Sequence, residues 1–301
     1  MDVVTGAFSF TGRYIAERLL AAGGEVRTLT RHPQSTSPFG ERVRAFPLDF
    51  DDVAGLTETL GGADTLYNTY WIRFPRGEYT FDRAVENNRI LLRAARAAGV
   101  RRVVYLSVSN ASSSSPLPYF RGKGEVEEAH AASGLSYGIE RPTLVFARED
   151  VLINNIAWIL RKLPLFVVPG SGDYPVQPVA VEDVAELTVE VGRGEDTRVV
   201  DALGPDVLSY EELVLLVRDT IGSRARIVHA PSSVAAALGR ALGAVLRDTL
   251  ITKDEIAALA AGLLATSSAP TGVRRFADWL VENAGSVGAG YTSEMRRNWS
   301  G

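Results

Sequence analysis

The sequence predicts an α/β protein: a doubly wound parallel sheet followed by a smaller, mostly helical lobe. In the first half of the chain, short apolar segments alternate with longer segments of helical periodicity. The apolar segments are continuous rather than interleaved with polar residues, as expected for parallel strands that helices cover on both faces. After about Ala147 helical segments dominate, which indicates a change of architecture.

The elements of the first half follow from this periodicity and from its glycines. Gly23-Gly24 and Gly99 end two of the helical segments, where a left-handed terminal residue is common. The predicted strands cover residues 2–5, 25–30, 42–46, 65–69, 102–107 and 136–139. The predicted helices cover residues 11–22, 53–60, 81–98 and 119–133.

The second half is predicted to be a substrate-binding lobe over residues 147–290. Short strand candidates at 197–201 and 226–229 interrupt its helices. The first domain is predicted to cover residues 1–146, and the segment around 176–202 either belongs to the lobe or returns to the first domain. The tail at 291–301 has no packing pattern, and we expect it to be mobile. The predicted helices cover residues 150–163, 181–192, 210–221, 234–246, 253–264 and 274–283.

Asn154 and Asn155 lie on the first predicted helix of this lobe. That helix would face the ligand-binding cleft, so a contact between these amides and a substrate is one interpretation of the pair.

Composition excludes several classes of function. With 32 basic and 36 acidic residues the net charge is −4, which argues against a nucleic-acid partner. The chain has no cysteine, so it has no disulfide, thiolate metal site or cysteine nucleophile. Its three histidines lack metal-ligand spacing. No secretory signal or bilayer-spanning stretch is evident, and we expect a cytoplasmic protein without a metal.

A glycine-containing loop joins the first predicted strand to the first predicted helix. Its sequence is Gly6-Ala7-Phe8-Ser9-Phe10-Thr11-Gly12. Gly6 permits a tight turn, Gly12 permits close packing of helix on strand, and the amides that open the helix face a pyrophosphate. Ser9 stands where the usual pattern has a third glycine. The position of the loop favours a Rossmann-type NAD(P) site over an ordinary strand-to-helix turn.

The residues after the second and third strands bear on the choice of dinucleotide. No carboxylate follows the second strand, where an NAD-selective site usually has one; Arg31 stands there instead. Arg31 either pairs with a 2′-phosphate, which favours NADP over NAD, or is a solvated surface residue. Asp49, followed by Phe50, either contacts the adenine amino group or, with Asp51 or Asp52, caps the next helix.

Several motifs in one order along the chain carry a family resemblance. Besides the glycine loop they are Leu48-Asp49, Asn68-Thr69, 94–100, 103–107, Tyr119-Phe-Arg-Gly-Lys123, Glu140-Arg141-Pro142-Thr143, and 177–185. Over about residues 1–190 the chain resembles the extended and atypical short-chain dehydrogenases/reductases. That superfamily includes nucleoside-sugar epimerases, NmrA-like proteins and the NAD(P)-binding subunit of respiratory complex I.

The resemblance implies roles for further residues. Asn68 and Tyr70 would line the cofactor ribose, Thr69 would also bind the cofactor, and Asn87 would support the site from the long helix. The loop at Pro142 would pass under the nicotinamide. Members of the superfamily bind their substrate between the dinucleotide-binding domain and the C-terminal lobe.

Tyr119 and Lys123 are the predicted acid–base pair. They are four residues apart and therefore lie on one face of the predicted helix. An ordinary tyrosine, with a pKa of about 10, is a poor base at neutral pH, and a neighbouring ammonium makes its phenolate more accessible. By the resemblance, this pair transfers the proton that accompanies hydride transfer, and Lys123 also binds the nicotinamide ribose. The alternative is a half-buried aromatic residue beside a solvated lysine.

The third catalytic group is expected to be a hydroxyl just after the fifth strand. Ser107 and Ser109 both lie there, while the position that extended relatives use falls on Val108. Either Ser109 takes the role through a different loop path, or the usual hydroxyl is missing.

Two functions therefore remain open. The first is an NAD(P)-dependent oxidoreductase or epimerase acting on an unidentified small-molecule carbonyl or alcohol. The second is a non-catalytic NAD(P)-binding redox sensor or structural protein. The apolar helices at 234–246 and 256–264 are equally compatible with a homo-oligomer contact.

Overall fold

The computed structural model describes residues 1–299, with side chains described up to Arg296. The strands are β1 (Asp2–Thr5), β2 (Val26–Thr30), β3 (Val43–Pro47), β4 (Thr65–Asn68), β5 (Arg102–Leu106), β6 (Ser136–Pro142), β7 (Leu144–Phe146), β8 (Leu165–Pro169), β9 (Pro175–Val176), β10 (Pro178–Ala180), β11 (Arg198–Ala202), β12 (Leu208–Ser209) and β13 (Arg226–Ala230). The α-helices are α1 (Phe10–Ala21), α2 (Val53–Leu60), α3 (Phe81–Ala97), α4 (Pro118–Ala132), α5 (Leu152–Lys162), α6 (Val181–Arg193), α7 (Tyr210–Thr220), α8 (Ser232–Leu246), α9 (Lys253–Ala260), α10 (Phe276–Asn283) and α11 (Glu294–Trp299).

The chain forms two compact units. Unit 1 consists of Met1–Pro142 and Val181–Ala202, and unit 2 consists of Thr143–Ala180 and the chain from Leu203 onward. The boundary thus falls after Pro142, a few residues before the predicted one. The segment 181–202 lies in unit 1.

Unit 1 contains a seven-stranded sheet in the order β11-β6-β5-β4-β1-β2-β3. Every neighbouring pair in it is parallel. The chain winds outward from β1 in one direction through β2 and β3, and in the other through β4, β5 and β6. This reversal beside β1 is the switch point of a Rossmann-type sheet, outside whose carboxyl ends ligands bind. The predicted doubly wound parallel sheet is confirmed.

Helices cover both faces of this sheet. Val4 packs with α1 and α6 on one face, whereas Val3 packs with α2 and α3 on the other. Both valines are fully buried. Neighbouring residues of a strand point to opposite faces, so burial on both faces requires continuous apolar strands.

Buried polar contacts fasten the return segment 181–202 to the sheet. Arg102, at the start of β5, is 0% exposed. Its guanidinium donates hydrogen bonds to the carbonyls of Val191 and Asp196, each at 2.8 Å, and to the Ser136 hydroxyl at 2.7 Å. A buried guanidinium is tolerated because these acceptors satisfy its donors.

Unit 2 has a separate apolar core, to which Phe146, Ile153, Val176, Leu213 and Phe276 contribute. Its strands pair as β10-β7, β12-β9 and β13-β8. The helices α5 and α7–α10 lie close to their predicted positions, but the helix α11 and the strands β7–β10 and β12 were not predicted. No helix among the described residues is long and apolar enough to cross a membrane.

The side chains of Asn154 and Asn155, on α5, hold the C-terminal part of unit 2. Asn155 donates to the carbonyl of Thr292 and accepts from its amide, both at 3.0 Å. Asn154 accepts from the Gly288 amide at 3.2 Å. The sequence suggested that these amides contact a substrate, whereas both are engaged within unit 2.

Further contacts bear on the predicted mobile tail. The Tyr291 hydroxyl donates to an Asp248 carboxylate oxygen at 2.9 Å, and the Tyr291 ring lies 5.3 Å from that of Trp158. The expectation that the tail lacks packing therefore does not hold at Tyr291 and Thr292. Ser300 and Gly301 lie outside the described residues, and the mobility of 291–301 stays a prediction.

Candidate active site

The loop between β1 and α1 has the shape that its glycines predict. Gly6 has a φ of +68°, in the left-handed region that favours glycine. A Cβ on Gly12 would lie 2.3 Å from the Gly6 carbonyl oxygen, so a side chain at this position would displace the loop. The exposed Ser9 donates its hydroxyl to the same carbonyl at 2.7 Å. Ser9, which stands where the usual pattern has a third glycine, thus stabilises the turn through this hydrogen bond.

The other predicted loop residues lie around the start of α1. Ser9 precedes the helix, and Phe10, Thr11 and Gly12 are in its first turn. Phe8 is partly buried on the face of the sheet that α1 and α6 cover, and its ring lies 6.5 Å from the Phe39 ring. The amides of a first helical turn lack intrahelical acceptors and attract anions, so the start of α1 could hold a phosphate group.

Hydrogen bonds tie the glycine loop to the neighbouring strand ends. The Thr69 hydroxyl donates to the Thr5 carbonyl at 2.6 Å, and the Thr69 amide donates to the Thr5 hydroxyl at 2.7 Å. The Ala7 amide donates to the Thr28 hydroxyl at 2.9 Å. The ends of β1, β2 and β4 are therefore linked where a Rossmann-type fold binds its ligand.

The predicted adenosine-side residues lie at the ends of β2 and β3. Arg31 is exposed directly after β2, with its guanidinium 5.3 Å from the centre of the Tyr79 ring. Asp49 accepts a hydrogen bond from the Asp51 amide at 3.0 Å. The cap of α2 is Asp52, which accepts from the Gly55 amide at 2.9 Å. The capping alternative for Asp49 is therefore wrong, because Asp52 occupies that position.

Asn68 supports the loop after β4 rather than facing an open groove. It is 1% exposed, and its amide nitrogen donates to the Asn88 side chain at 2.7 Å. Its side-chain oxygen accepts from the Tyr70 amide at 3.1 Å. The expected contact between this side chain and the ribose does not match its burial, which the resemblance alone did not reveal.

Tyr70 and Asn87 form a polar pair beside this loop. Asn87 donates to the Tyr70 hydroxyl at 2.8 Å, and the Tyr70 ring lies 4.8 Å from the Phe50 ring. Burial raises the pKa of Tyr70, so the phenol stays protonated. Asn87 is 6% exposed, and its side-chain oxygen has no hydrogen-bond partner among the described residues. A buried acceptor without a partner is unusual and fits a ligand hydroxyl.

The predicted acid–base pair lies on α4, behind the end of β5. Lys123 is 3% exposed, and its ammonium donates to the Leu106 carbonyl at 2.7 Å. The same ammonium lies 5.0 Å from the centre of the Trp71 ring and 4.8 Å from that of Tyr105. Burial lowers the pKa of Lys123 to about 7. The alternative of a solvated lysine is therefore wrong.

Aromatic side chains surround the half-buried Tyr119. Its ring meets those of Trp71 and Phe81 edge to face, at 6.0 and 5.9 Å. Trp71 and Phe81 stack on each other at 6.0 Å. Favourable edge-to-face geometry restricts the orientation of the phenol.

The two candidate serines are both buried. Ser107 donates its hydroxyl to Glu127 at 2.5 Å. Ser109 is 0% exposed, and its amide donates to the carbonyl of Pro142, the last residue of β6, at 2.9 Å. This bond joins the segment after β5 to the end of β6. Which serine, if either, meets a substrate stays a prediction.

Glu127 is a site residue that the sequence did not single out. Its carboxylate accepts the Ser107 hydroxyl and a hydrogen bond from Arg141 Nε at 3.0 Å, and a second Arg141 nitrogen binds its other oxygen. It follows Tyr119 and Lys123 at the same four-residue spacing, which places all three on one helix face. That spacing is the signal that could have revealed it.

A family model described as NAD(P)H-binding matches residues 6–155, which contain the glycine loop, both serines and the Tyr119–Lys123 pair. Residues 6–155 therefore form a domain of this NAD(P)H-binding family. This match confirms that the predicted cofactor is a nicotinamide dinucleotide. The resemblance to extended short-chain dehydrogenases/reductases is also confirmed. Among the described residues, no group of histidine and carboxylate side chains could hold a metal ion.

One curated relative is a subunit of an NADH dehydrogenase, and another is a reductase. The chain is 27% identical over 261 residues to the mitochondrial NADH dehydrogenase [ubiquinone] 1 alpha subcomplex subunit 9 of Arabidopsis thaliana, covering 83% of this chain and 64% of that protein. It thus spans less than two thirds of that relative's length. It is 29% identical over 226 residues, 74% of each chain, to (4-alkanoyl-5-oxo-2,5-dihydrofuran-3-yl)methyl phosphate reductase of Streptomyces griseus.

Solved structures share the fold. The NADPH-dependent quinone oxidoreductase of Escherichia coli, complexed with NADPH, has a TM-score of 0.77 at 22% identity, covering 95% of this chain and 99% of that one. The triphenylmethane reductase of Citrobacter sp. has a TM-score of 0.78 at 18% identity, covering 94% and 99%.

Proposed function

We propose that the chain is an NADPH-dependent oxidoreductase that transfers hydride to the carbonyl of a small organic molecule, with Tyr119 as the proton donor. The observation that carries the proposal is Lys123, a buried ammonium one helical turn from Tyr119 at the carboxyl end of β5. Burying a cation without a salt bridge is costly, and an active-site role is a physical reason for it.

The residues of unit 1 fit a dinucleotide. A Cβ on Gly12 would collide with the Gly6 carbonyl oxygen, as expected where the helix and the strand must approach closely. The unpartnered oxygen of Asn87 can accept a hydrogen bond from a ribose hydroxyl, and the exposed Arg31 can pair with a 2′-phosphate. We assign the pyrophosphate to residues 6–12 and the adenosine side to Arg31, Asp49 and Phe50. Thr69, Tyr70, Asn87, Lys123 and Pro142 would border the nicotinamide ribonucleoside.

The proposed chemistry divides between cofactor and protein. When bound, the nicotinamide supplies a hydride to the substrate carbon. Tyr119 gives its phenolic proton to the substrate oxygen, which develops negative charge. The Lys123 ammonium stabilises the phenolate that Tyr119 leaves behind. The aromatic rings of Trp71 and Phe81 exclude water from this side of the phenol.

One curated relative favours net reduction over epimerisation. The Streptomyces griseus relative is named as a reductase. Release of the substrate after a single hydride step would make the reaction of this chain a net reduction.

A second candidate function is non-catalytic dinucleotide binding. The burial of Ser109 and the engagement of Ser107 with Glu127 favour it, because an active oxidoreductase of this type uses a hydroxyl on the substrate oxygen. The complex I subunit relatives of Arabidopsis thaliana and Neurospora crassa are compatible with this role.

The deciding experiment follows NADPH oxidation by the purified chain with quinones, aldehydes and ketones as acceptors. We expect turnover that Tyr119→Phe reduces by at least about 100-fold. Tyr137→Phe is the matched control, because Tyr137 lies near the start of β6, at the other end of the strand from Pro142. This variant should retain activity. Tight NADPH binding with no turnover would contradict the oxidoreductase and favour the second candidate. Unchanged turnover in Tyr119→Phe would contradict the role of Tyr119 as the proton donor.

A further inference from the structure

Glu127 connects three secondary-structure elements of unit 1. The residue lies on α4 and is 8% exposed. It holds Ser107, directly after β5, and Arg141, near the end of β6. A bidentate arginine–carboxylate pair fixes both distance and orientation, so this contact sets the position of α4 against the two strands.

The contact lies one turn from the proposed acid–base pair. Residues four apart on a helix are neighbours, so Glu127 follows Lys123 as Lys123 follows Tyr119. Lys123 also binds the Leu106 carbonyl, one residue before Ser107. The two hydrogen bonds therefore fasten adjacent turns of α4 to adjacent residues at the end of β5.

The charges around Glu127 come from several elements. On α4 it lies one turn after Lys123 and one turn before His130, whose pKa burial lowers to about 4, leaving it neutral. From β5 the Tyr105 phenol interacts with it. From β6 it faces Arg141, which also interacts with Asp201 of β11. The negative charge of Glu127 opposes the effect of burial on the pKa of Lys123.

We propose that Glu127 is a positioning residue that fixes the buried face of α4 and keeps Lys123 charged beside Tyr119. This role rests on the function proposed above. Glu127 itself touches neither substrate nor cofactor in the proposed reaction. It acts through Lys123.

The charge of Lys123 can be measured without any substrate. The chain has only three lysines, Lys123, Lys162 and Lys253, so nuclear magnetic resonance of lysine labelled at Cε gives three signals to assign. We expect Glu127→Gln to lower the titration midpoint of Lys123 by about one unit, because a nearby negative charge is lost. Arg141→Gln should raise the midpoint, since Glu127 is then no longer neutralised.

Glu128→Gln is the matched control. Glu128 is the next residue of α4 and is exposed, with a hydrogen bond to Ser113. We expect no shift of the Lys123 signal in this variant. Equal midpoints in Glu127→Gln and Glu128→Gln, or shifts of the same sign in Glu127→Gln and Arg141→Gln, would overturn the proposal.

Turnover tests the positioning role. We expect Glu127→Gln to lower kcat by at least about tenfold while the Kd for NADPH changes by less than about twofold. The double variant Glu127→Gln with Arg141→Gln leaves no unpaired charge and is expected to fold. Its kcat should stay low, because the anchor is still missing; recovery of wild-type kcat would show a merely structural role and overturn the proposal. A wild-type chain without turnover would instead contradict the proposed function and leave the lysine titration as the test of Glu127.

Discussion

The ammonium of Lys123 lies 2.7 Å from the carbonyl oxygen of Leu106, the last residue of β5. This bond joins the proposed acid–base helix to the strand whose end carries the candidate serines. It holds the Lys123 side chain in a buried position within unit 1, where loss of solvent disfavours the ammonium charge.

Lys123→Met should separate activity from stability. Methionine keeps the apolar stem but removes the charge, so we expect NADPH-dependent turnover to fall by at least about 100-fold. The melting temperature should change little, because a buried charge is removed together with its desolvation cost. Lys162→Met, at the exposed end of α5, is the control and should leave turnover intact. Full activity in Lys123→Met would refute the assigned role.

Arg31→Ala should change the choice of dinucleotide. A charged contact to the 2′-phosphate is worth about 1.5–3 kcal/mol, so we expect calorimetry to show NADPH binding weakened at least about tenfold. NADH lacks that phosphate, and its Kd should change by less than about twofold. Arg44→Ala, on the edge strand β3, is the control. Equal losses for NADPH and NADH in Arg31→Ala would mean that Arg31 does not recognise the 2′-phosphate.

Glu140→Gln should remove a pH dependence of stability. Glu140 is 0% exposed, one of its oxygens binds the Thr188 hydroxyl, and burial raises its pKa from 4.5 to about 8. The folded state therefore holds the proton more tightly than the unfolded state. The stabilisation is fully present below pH 4.5 and is lost as the pH rises to about 8.

Urea unfolding across this pH range measures the effect. The wild-type free energy of unfolding should fall with rising pH, and Glu140→Gln should flatten that slope. Glu195→Gln, an exposed carboxylate before β11, should keep the wild-type slope. Identical slopes in the wild type and Glu140→Gln would show that Glu140 is not the titrating group.

Asn155→Ala should loosen the C-terminal segment. The substitution removes both hydrogen bonds to Thr292, each worth about 0.5–1.5 kcal/mol. We expect faster amide hydrogen exchange around residues 291–295, measured by mass spectrometry. Asn283 is the last residue of α10 and donates to the Trp279 carbonyl within that helix. Asn283→Ala removes this hydrogen bond and should leave the exchange around residues 291–295 unchanged. Unaltered exchange in Asn155→Ala would mean that Asn155 does not hold the segment.

The central strands β1, β4 and β5 of unit 1 could be predicted because each contains an uninterrupted run of buried apolar residues. The bounds of α2 are as predicted, and those of the other predicted helices differ by a few residues. Of the missed strands, β7, β9, β10 and β12 have two or three residues each, and β8 has five. Such short strands form through pairing with distant segments, which local periodicity does not report.

The candidate site was predictable in part. The glycine loop and the Tyr119–Lys123 spacing are local patterns, so the sequence shows them directly. The partners of Ser107 and Asn68 come from other elements, Glu127 on α4 and Asn88 on α3. The four-residue spacing along α4 points to Glu127, but no spacing in the sequence pairs Glu127 with Ser107 or Asn88 with Asn68.

Calorimetric titration with NADPH tests the central claim most directly. The wild-type chain should bind NADPH, whereas Gly12→Ala should weaken binding strongly, because its Cβ meets the Gly6 carbonyl oxygen at 2.3 Å. Gly285→Ala, where a Cβ meets nothing within 4 Å, should bind as the wild type does. Thermal unfolding of each variant separates loss of binding from loss of fold. Absence of binding of both NADPH and NADH by the folded wild-type chain would contradict the account.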